Sequence, residues 1–314
     1  LTLFSEKIQE LKDRIASVIV GQEQTVDLVL TAILANGHVL IEGVPGVAKT
    51  LLARLTARLI DADFSRVQFT PDLMPSDVLG TTVFNMKTNG FDFHQGPIFA
   101  DIVLVDEINR APAKTQAALF EVMEERQISI DGTTHRMGDL YTILATQNPV
   151  EQEGTYKLPE AQLDRFLMKI TMDYPSLEEE VNILERHHTN AALVKLDDIT
   201  PAITKEELLS LRAFMNQVFV DRTLLQYIAL IVQQTRTSKA VYLGASPRAS
   251  VAMLQSSKAY ALLQGRDFVT PEDIKFVAPY VLQHRLILTA EAEMEGYSPV
   301  KVTQRLIDKV EVPK

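Results

Sequence analysis

The sequence predicts an α/β fold: a mostly parallel five-stranded sheet sandwiched by helices, followed by a smaller all-α domain. Three observations support this prediction. A glycine-rich turn at Gly43–Thr50 joins a short apolar run to a helical pattern, and a second apolar run ends in the carboxylates Asp106 and Glu107. After Pro175 the short apolar runs stop and helical periodicity continues alone. Alternating strands and helices indicate a parallel sheet covered on both faces, and the change of pattern indicates a second domain.

The predicted strands are short apolar runs separated by helical patterns. Strands of a parallel sheet are buried on both faces, so they read as nearly continuous apolar segments rather than alternating ones. We expect the first domain to span residues 1–175. Its predicted strands are Val39–Glu42, Arg66–Phe69, Ile102–Val105, Tyr141–Thr146 and Met168–Met172.

The second predicted domain spans residues 176–314 and shows no strong strand pattern. One of its helices has a clear start at Thr270-Pro271, where a capping hydroxyl precedes a proline and two acids. Each of these features favours a helix N-terminus. The predicted helices are Leu177–His187, Lys205–Phe219, Arg222–Thr235, Pro247–Leu263 and Pro271–Gln283.

Two hairpins are predicted to interrupt the first domain, near residues 82–94 and 127–137. Each contains a strong turn signal between two strand-like runs, Asn89-Gly90 in the first and Asp131-Gly132 in the second. They are either ordinary surface ribbons or projections toward a pore or a partner.

The segment Gly43–Thr50 reads G-V-P-G-V-A-K-T and has the layout of a phosphate-binding P-loop. Such a loop turns its backbone N–H groups toward a triphosphate, and the helix after it begins with free N–H groups. Lys49 can reach the outer phosphates, and the Thr50 hydroxyl can hold Mg²⁺. Ala48 stands where the usual motif has its last glycine, so a chance glycine turn before a helix is the alternative. The residues expected to bind ATP here are Gly43, Val44, Pro45, Gly46, Val47, Ala48, Lys49, Thr50 and Leu51.

Asp106 and Glu107 follow directly after the apolar run Ile102–Val105. A strand buried on both faces should not carry acids, so we expect both at its exposed carboxyl end. In open α/β sheets that end faces the ligand crevice. Asp106 would hold Mg²⁺ through water, and Glu107 would act as the general base for the attacking water. The alternative is a solvated turn after a core strand.

Asn148 comes shortly after the predicted strand Tyr141–Thr146. A polar amide just beyond a central strand can lie between the γ-phosphate and the attacking water. An Asn-Pro pair is also a common turn starter. In series with the two earlier motifs, we interpret Asn148 as part of the same site.

The composition is that of an ordinary soluble globular protein, with 46% hydrophobic and 23% charged residues. The net charge of −10 argues against a surface built for nucleic acid. The absence of cysteine excludes disulfides, thiolate catalysis and Cys-based zinc sites. No membrane span or secretory signal is predicted, and the use of ATP favours a cytoplasmic location. The first residue is Leu1 rather than Met, so the sequence leaves open whether an N-terminal piece was removed.

Five motifs in series resemble the MoxR family of AAA+ ATPases. The resemblance extends from Val20 to the predicted helix that ends near Gln283, and the alanine of the P-loop is part of it. It implies a P-loop AAA+ core followed by a helical lid, with ATP and Mg²⁺ as cofactors. The motifs are G-V-P-G-V-A-K-T, V-D-E-I-N-R-A-P at 105–112, A-T-Q-N-P at 145–149, E-G-T-Y-K-L-P-E-A-Q-L-D-R-F at 153–166 and S-P-R at 246–248.

The resemblance implies roles for two arginines. Arg165 matches the arginine finger, which in such ATPases reaches the γ-phosphate bound by the neighbouring subunit. Its alternative is a surface arginine paired with Asp164. Arg248 matches the sensor-2 arginine, which would project near the nucleotide from the first turn of a lid helix. Whether Arg248 serves its own subunit or a neighbour stays open, and an exposed helix arginine is its alternative.

Two further assignments concern the N-terminal region and the segment after Glu107. The segment Val20-Gly21-Gln22, with Val20 and Gly21 as the expected binding residues, resembles the segment that packs on the adenine. Arg110 is either a second interface cation or a local partner for Glu107, and the sequence does not decide between them.

The resemblance also implies a ring, usually of six subunits, with sites at the subunit boundaries. The two hairpins would correspond to the helix-2 insert and the pre-sensor-1 hairpin of one AAA+ branch. Family members are associated with partners that carry von Willebrand factor A domains, and are thought to remodel proteins or insert metals. An MCM-like nucleic-acid motor and a non-hydrolysing nucleotide switch are the alternative functions. The sequence reveals neither the client protein nor the ring size.

Overall fold

A computed structural model describes residues 2–87, 89–148, 155–189 and 196–313 of the chain. The motif residues Pro149, Glu153 and Gly154 lie outside these ranges.

The centre of the protein is a parallel five-stranded sheet in the order β2-β5-β8-β1-β9. All five predicted strands are present, so the predicted α/β fold class is confirmed. The largest shift is in the second strand, which begins at Phe64 rather than at Arg66. The strands are β1 Val39–Gly43, β2 Phe64–Gln68, β5 Ile102–Asp106, β8 Thr142–Gln147 and β9 Met168–Met172.

Helices cover both faces of this sheet and form the region after it. Pro247–Leu263 has the predicted bounds, and most of the others differ at their ends by one or two residues. In the first region the helices are α1 Thr2–Val18, α2 Glu23–Leu34, α3 Lys49–Leu59, α4 Pro75–Leu79, α5 Ala113–Glu125 and α6 Glu160–Leu163. After the sheet they are α7 Leu177–His188, α8 Lys205–Phe214, α9 Arg222–Thr237, α10 Pro247–Leu263, α11 Pro271–Leu282, α12 Ala290–Met294 and α13 Pro299–Lys309.

Alternate residues of each central strand enter different hydrophobic cores. In β1, Val39 and Ile41 belong to the larger core with α1, α2 and the lid helices, whereas Leu40 belongs to the core around α5. In β5, Leu104 and Val105 divide in the same way. Successive strand side chains point to opposite faces, so both faces of the sheet are buried and the strand register is strongly specified.

The lid contains a pair of short strands that we did not predict. Val241–Leu243 (β10) pairs antiparallel with Ile287–Leu288 (β11). Strands of this length carry no readable periodicity, and their pairing depends on how the lid helices bring distant segments together.

The prediction of one continuous helix over Lys205–Phe219 was wrong in its last turn. The α-helix ends at Phe214 and a 3₁₀ turn follows at Met215–Gln217. Phe219 leaves the helical path because its N–H donates to the carbonyl oxygen of Asp267 at 2.8 Å and its own carbonyl accepts from the Val269 N–H at 3.0 Å. These contacts to a distant segment outweigh the local helical preference.

Two antiparallel hairpins project from the first region and contact each other. They are formed by β3 Gly80–Asn85 with β4 Gly90–Gln95, and by β6 Gln127–Ile130 with β7 Thr133–Arg136. The Thr82 hydroxyl donates to Asp131 Oδ2 at 2.5 Å, and the rings of Phe93 and His135 have centroids 4.3 Å apart. The pair therefore forms one packed unit rather than two separate ribbons.

His38 joins three elements of the core in its neutral form. Its Nδ1 accepts from the Ile143 N–H at 3.0 Å, so Nε2 carries the proton and donates to the Met123 carbonyl oxygen at 3.1 Å. Burial, with a smaller effect of the Arg126 charge, lowers the pKa of His38 to about 3. Burial also lowers the pKa of His284 well below its usual range.

The lowered pKa values of His38 and His284 lead us to predict that the protein loses stability in mild acid. A histidine whose pKa is lowered on folding binds its proton more strongly in the unfolded chain, so stability present above pH 6.5 is lost as the pH falls toward 3. Each pH unit in this window costs about 1.4 kcal/mol per histidine, so His38 alone predicts a loss of about 2 kcal/mol between pH 7 and pH 5. Denaturant unfolding at both pH values measures it. The exposed-histidine variant His187→Gln should show the same loss, and an equal free energy of unfolding at both pH values would contradict the prediction.

Candidate nucleotide-binding and hydrolysis site

The parallel sheet brings the three predicted motifs to one edge. β5, β8 and β1 are neighbours, and all three run in the same direction. Gly43 ends β1, Asp106 ends β5, and Asn148 follows the last residue of β8. Carboxyl ends of adjacent parallel strands share one edge, so residues from widely separated parts of the chain meet there.

The loop between β1 and α3 has the backbone that a phosphate cradle requires. A Cβ on Gly43 would lie 2.8 Å from the carbonyl oxygen of Met172 on the adjacent strand, so only glycine allows this close approach. Gly46 has φ +89° and Ala48 has φ +59°, both in the left-handed region. Glycine adopts that region freely, whereas alanine pays a steric cost there.

Lys49 and Thr50 lie in the first turn of α3, directly after this loop. The Lys49 ammonium donates to the Gly43 carbonyl oxygen at 2.7 Å and thus lies across the loop. Partial burial lowers the pKa of Lys49, while the charges of Asp106 and Glu107 oppose that shift. The cation and the two predicted catalytic carboxylates therefore interact electrostatically.

Asp106 is buried and both of its oxygens have partners. The Thr146 hydroxyl donates to Oδ1 at 3.1 Å, and Arg66 Nε donates to Oδ2 at 2.6 Å. A buried carboxylate needs such contacts to offset its lost hydration.

Glu107 extends from a constrained backbone position. Its φ is +56°, which costs a non-glycine residue about 1–2 kcal/mol. The Glu107 N–H donates to the Thr146 hydroxyl at 3.0 Å. In the side chain, Oε2 accepts from Gln68 Nε2 at 2.7 Å and lies 3.3 Å from Arg110 Nε. Arg110 was expected to be either an interface cation or a local partner of Glu107, and this contact agrees with the second hypothesis.

An apolar cavity of about 230 Å³ adjoins the P-loop. Val20 and Gln22, from the segment predicted to pack on the adenine, line this cavity, and Gly21 is not among its lining residues. The helix α7 closes one side of the cavity, and its contribution was not predicted. The lining residues are Val18, Ile19, Val20, Gln22, Gly46, Val47, Ala48, Leu51, Pro175, Ile183, Arg186 and His187.

Arg165 and Arg248 line a different cavity, of about 280 Å³, and both contact Glu124. Arg165 Nη2 lies 2.8 Å from Glu124 Oε2, and Arg248 Nη2 donates to Glu124 Oε1 at 2.9 Å. None of the described residues that line this cavity also lines the one beside the P-loop. The lid helix directs Arg248 toward Glu124, so its role near a nucleotide, in its own chain or in a neighbour, stays a prediction.

The alternative pairing of Arg165 with Asp164 is not the one observed. Asp164 Oδ1 instead accepts from Arg285 Nε at 2.6 Å. Arg285 is 3% exposed and also donates to the carbonyl oxygen of Phe166 at 2.7 Å. A buried guanidinium requires a carboxylate partner, which explains why Asp164 is held away from Arg165.

Comparison with known proteins agrees with this architecture. Residues 38–168 match the family model "ATPase family associated with various cellular activities", and residues 233–308 match an AAA lid domain. The chain is 47% identical to the uncharacterized protein YeaC of Bacillus subtilis over 96% of this chain and 93% of that protein. It is 44% identical to Chaperone MoxR1 of Mycobacterium tuberculosis, over 95% of this chain and 80% of that protein.

The chain belongs to the MoxR family of AAA+ ATPases. A crystal structure of a candidate ATPase from Cytophaga hutchinsonii has the same fold, with a TM-score of 0.91 and 41% identity over 100% of this chain and 97% of that one. The predicted AAA+ core and lid are therefore confirmed. Within the described residues, no helix combines the length and apolar character needed to cross a bilayer.

Three residues of this MoxR-family site were not predicted from the sequence. Thr146 binds both Asp106 and the Glu107 backbone, Gln68 holds the Glu107 carboxylate, and Arg66 holds Asp106. Thr146 lies in the motif A-T-Q-N-P, so a signal was present. Arg66 and Gln68 lie on β2, where Gln68 is in register with Asp106, and that pairing appears only in the folded sheet.

The donor set at this edge is suitable for Mg²⁺. The Thr50 hydroxyl and the Asp106 carboxylate are hard oxygen donors, and Mg²⁺ in nucleotide sites usually takes one or two such groups with water and phosphate oxygens. Among the described residues there is no cluster of three or more His, Asp or Glu side chains that would hold a metal without a nucleotide.

The left-handed conformation of Ala48 generates a stability prediction. Ala48→Gly should raise the free energy of unfolding by about 0.5–1 kcal/mol, because glycine removes the steric cost at φ +59° and only part of this gain is lost to unfolded-chain entropy. Denaturant unfolding measures the change, and nucleotide affinity should be kept.

A matched control for this prediction lies in α3, the helix that follows Ala48. Ala53 is buried inside α3, where glycine is less favourable by about 1 kcal/mol, so Ala53→Gly should destabilise the protein. Equal destabilisation by both substitutions would show that the Ala48 backbone is unstrained.

Proposed function

We propose that this MoxR-family protein is a Mg²⁺-dependent ATPase that works in a ring and remodels partner proteins. The observation that carries the proposal is the meeting of Lys49, Asp106 and Glu107 at one edge of the sheet, with Arg165 and Arg248 gathered on a separate face. The first set can bind and hydrolyse a triphosphate. The second set consists of cations that lie away from the P-loop of their own chain and could serve a triphosphate bound by a neighbouring chain.

The P-loop residues would bind the nucleotide and orient its phosphates. The base fits the apolar cavity beside Val20 and α7, and the Lys49 ammonium moves from the Gly43 carbonyl oxygen to the phosphates. Thr50 and Asp106 would hold Mg²⁺, which neutralises charge on the phosphate oxygens when it is bound. Asp106 would exchange its contact with Arg66 for this role.

Glu107 would accept the proton of the attacking water. The Thr146 hydroxyl fixes the backbone of Glu107, and Gln68 fixes its carboxylate, so the base is held in a defined position before the reaction. Asn148, buried next to the end of β8, would orient the water toward the γ-phosphate. As the water oxygen bonds to the γ-phosphorus, the bond from that phosphorus to the bridging oxygen of ADP would break, and the water proton would pass to the Glu107 carboxylate.

Arg165 and Arg248 would act on the nucleotide of the neighbouring subunit. Support comes from their shared cavity, which is lined by different residues from the cavity beside the P-loop. Both side chains are partly exposed, so a neighbour's phosphates can reach them. This arrangement favours the interpretation that Arg248 acts in trans, and it requires assembly for full activity.

The remodelling role is supported by a relative whose name is Chaperone MoxR1. The first hairpin exposes large apolar side chains, Phe84, Met86 and Phe91, which suit contact with a partner polypeptide. A partner with a von Willebrand factor A domain, metal insertion, a six-membered ring and a cytoplasmic location remain predictions from the family resemblance.

The role of Glu107 is tested by Glu107→Gln. The amide keeps the size of the side chain but cannot accept the proton, so turnover should fall by about 10²–10⁴-fold, while the ATP dissociation constant stays within about twofold. Steady-state phosphate release and calorimetry measure the two quantities. Glu121→Gln, an exposed acid on α5, is the control and should hydrolyse ATP normally. Undiminished turnover in Glu107→Gln would reject this base.

The trans arrangement is tested by mixing two inactive variants. Lys49→Ala removes nucleotide binding, and Arg165→Ala removes the cation offered to a neighbour, which is worth about 10³–10⁵ in turnover. In a mixed ring about a quarter of the interfaces join an intact P-loop to an intact Arg165, so activity should reappear. Mixing Lys49→Ala with Arg248→Ala tests Arg248 in the same way, and activity should again reappear. If the mixtures stay inactive, each arginine serves its own chain.

A further inference from the structure

We propose that Glu124 is a positioning residue that holds Arg165 and Arg248 together so that both reach the neighbouring subunit's phosphates as one unit. This inference rests on the proposed trans action of the two arginines. Glu124 lies in the last turn of α5, and each of its carboxylate oxygens contacts a different guanidinium, at 2.8 Å for Arg165 and 2.9 Å for Arg248.

Without the carboxylate, the two cations would separate. Guanidinium groups repel each other, and the Arg248 side chain is 54% exposed, so surrounding atoms do little to fix it. Arg165 is better held, since its guanidinium lies 6.0 Å from the centre of the Phe120 ring. Each long side chain has about 2 kcal/mol of rotamer entropy, which favours many side-chain orientations over a single one. The hydrogen bond from Arg248, then the charge of Arg165, lowers the pKa of Glu124, so the carboxylate stays ionised at neutral pH.

Glu124 also joins the core to the lid. Arg165 follows the short helix α6 in the core, whereas Arg248 lies in the first turn of the lid helix α10. A single carboxylate between them makes the spacing of the two cations depend on how the lid is docked. The pair can then meet phosphate oxygens only in the docked arrangement.

Asp164 cannot take over this task. Its nearest contact to Arg248 is 3.9 Å, because its Oδ1 is committed to the buried Arg285 at 2.6 Å. Glu124, by contrast, is not buried and has both oxygens directed at the two arginines. A guanidinium has five N–H donors, so one contact to Glu124 leaves each cation able to bind a phosphate.

The test is Glu124→Gln, which keeps the side-chain size and removes the charge. We expect kcat of the assembled protein to fall by about tenfold, with KM for ATP within about twofold, since lost pre-organisation acts on the transition state and the P-loop lies elsewhere. Rates are normalised to the assembled fraction from sedimentation. Glu124→Asp, which keeps the charge, should recover part of kcat. The adjacent exposed Glu125→Gln is the control and should match the wild type.

A double-variant comparison separates positioning from a general structural effect. If Glu124 acts through Arg248, then Glu124→Gln should lower kcat much less in an Arg248→Ala background than in the wild type. Equal effects in both backgrounds would overturn the inference, as would an unchanged or raised kcat in Glu124→Gln alone.

The failure of this inference is distinguishable from that of the proposed function. Loss of activity in Arg165→Ala and Arg248→Ala with normal activity in Glu124→Gln would remove only the positioning role. Normal activity in both arginine variants would instead remove the trans action on which it rests.

Discussion

The common direction of the five central strands is the constraint on which the rest of the structure depends. Adjacent strands lie about 4.8 Å apart, so the ends of β1, β8 and β5 come within about 10 Å of one another. Gly43, Asp106 and Asn148 are brought together only because these three strands are neighbours and parallel. The apolar residues of β1 fill the cores on both faces of the sheet, so burial of the strand also holds the site at its carboxyl end.

A polar network holds the carboxylates of Asp106 and Glu107 in place at that edge. Thr146 is its centre, since one hydroxyl accepts the Glu107 N–H and donates to Asp106. Arg66 and Gln68 reach the same two acids from the next strand. Buried polar groups are costly unless they are paired, so this network both satisfies the acids and restricts their orientation. The strained backbone at Glu107 is tolerated because its neighbours hold it.

Two cavities with different lining residues separate the P-loop from the arginine pair within one chain. One cavity, beside the P-loop, is mainly apolar and suits a base, and the other gathers Arg165 and Arg248 around Glu124. The buried pair of Arg285 and Asp164 anchors the backbone next to Arg165 and links it to the end of the lid helix α11. The P-loop and the two arginines therefore lie on different surfaces of the chain, which is the arrangement that the proposed action between subunits requires.

Local sequence was sufficient for the motifs and for most of the elements. The P-loop, the acid-ended strand and the helix Pro247–Leu263 were predicted because their signals are contiguous: glycine positions, apolar runs and helix caps are properties of neighbouring residues. The family resemblance added Arg165 and Arg248, although it could not say which surface they occupy.

The contacts between distant segments were decided by the tertiary structure. The pairing of Gln68 with Glu107, the closure of the cavity beside the P-loop by α7 and the gathering of two arginines around Glu124 each join residues far apart in the chain. The short strands β10 and β11 and the early end of the helix at Phe214 have the same origin. Hydrogen bonds and ion pairs of this kind depend on which elements pack together, and no local periodicity records that.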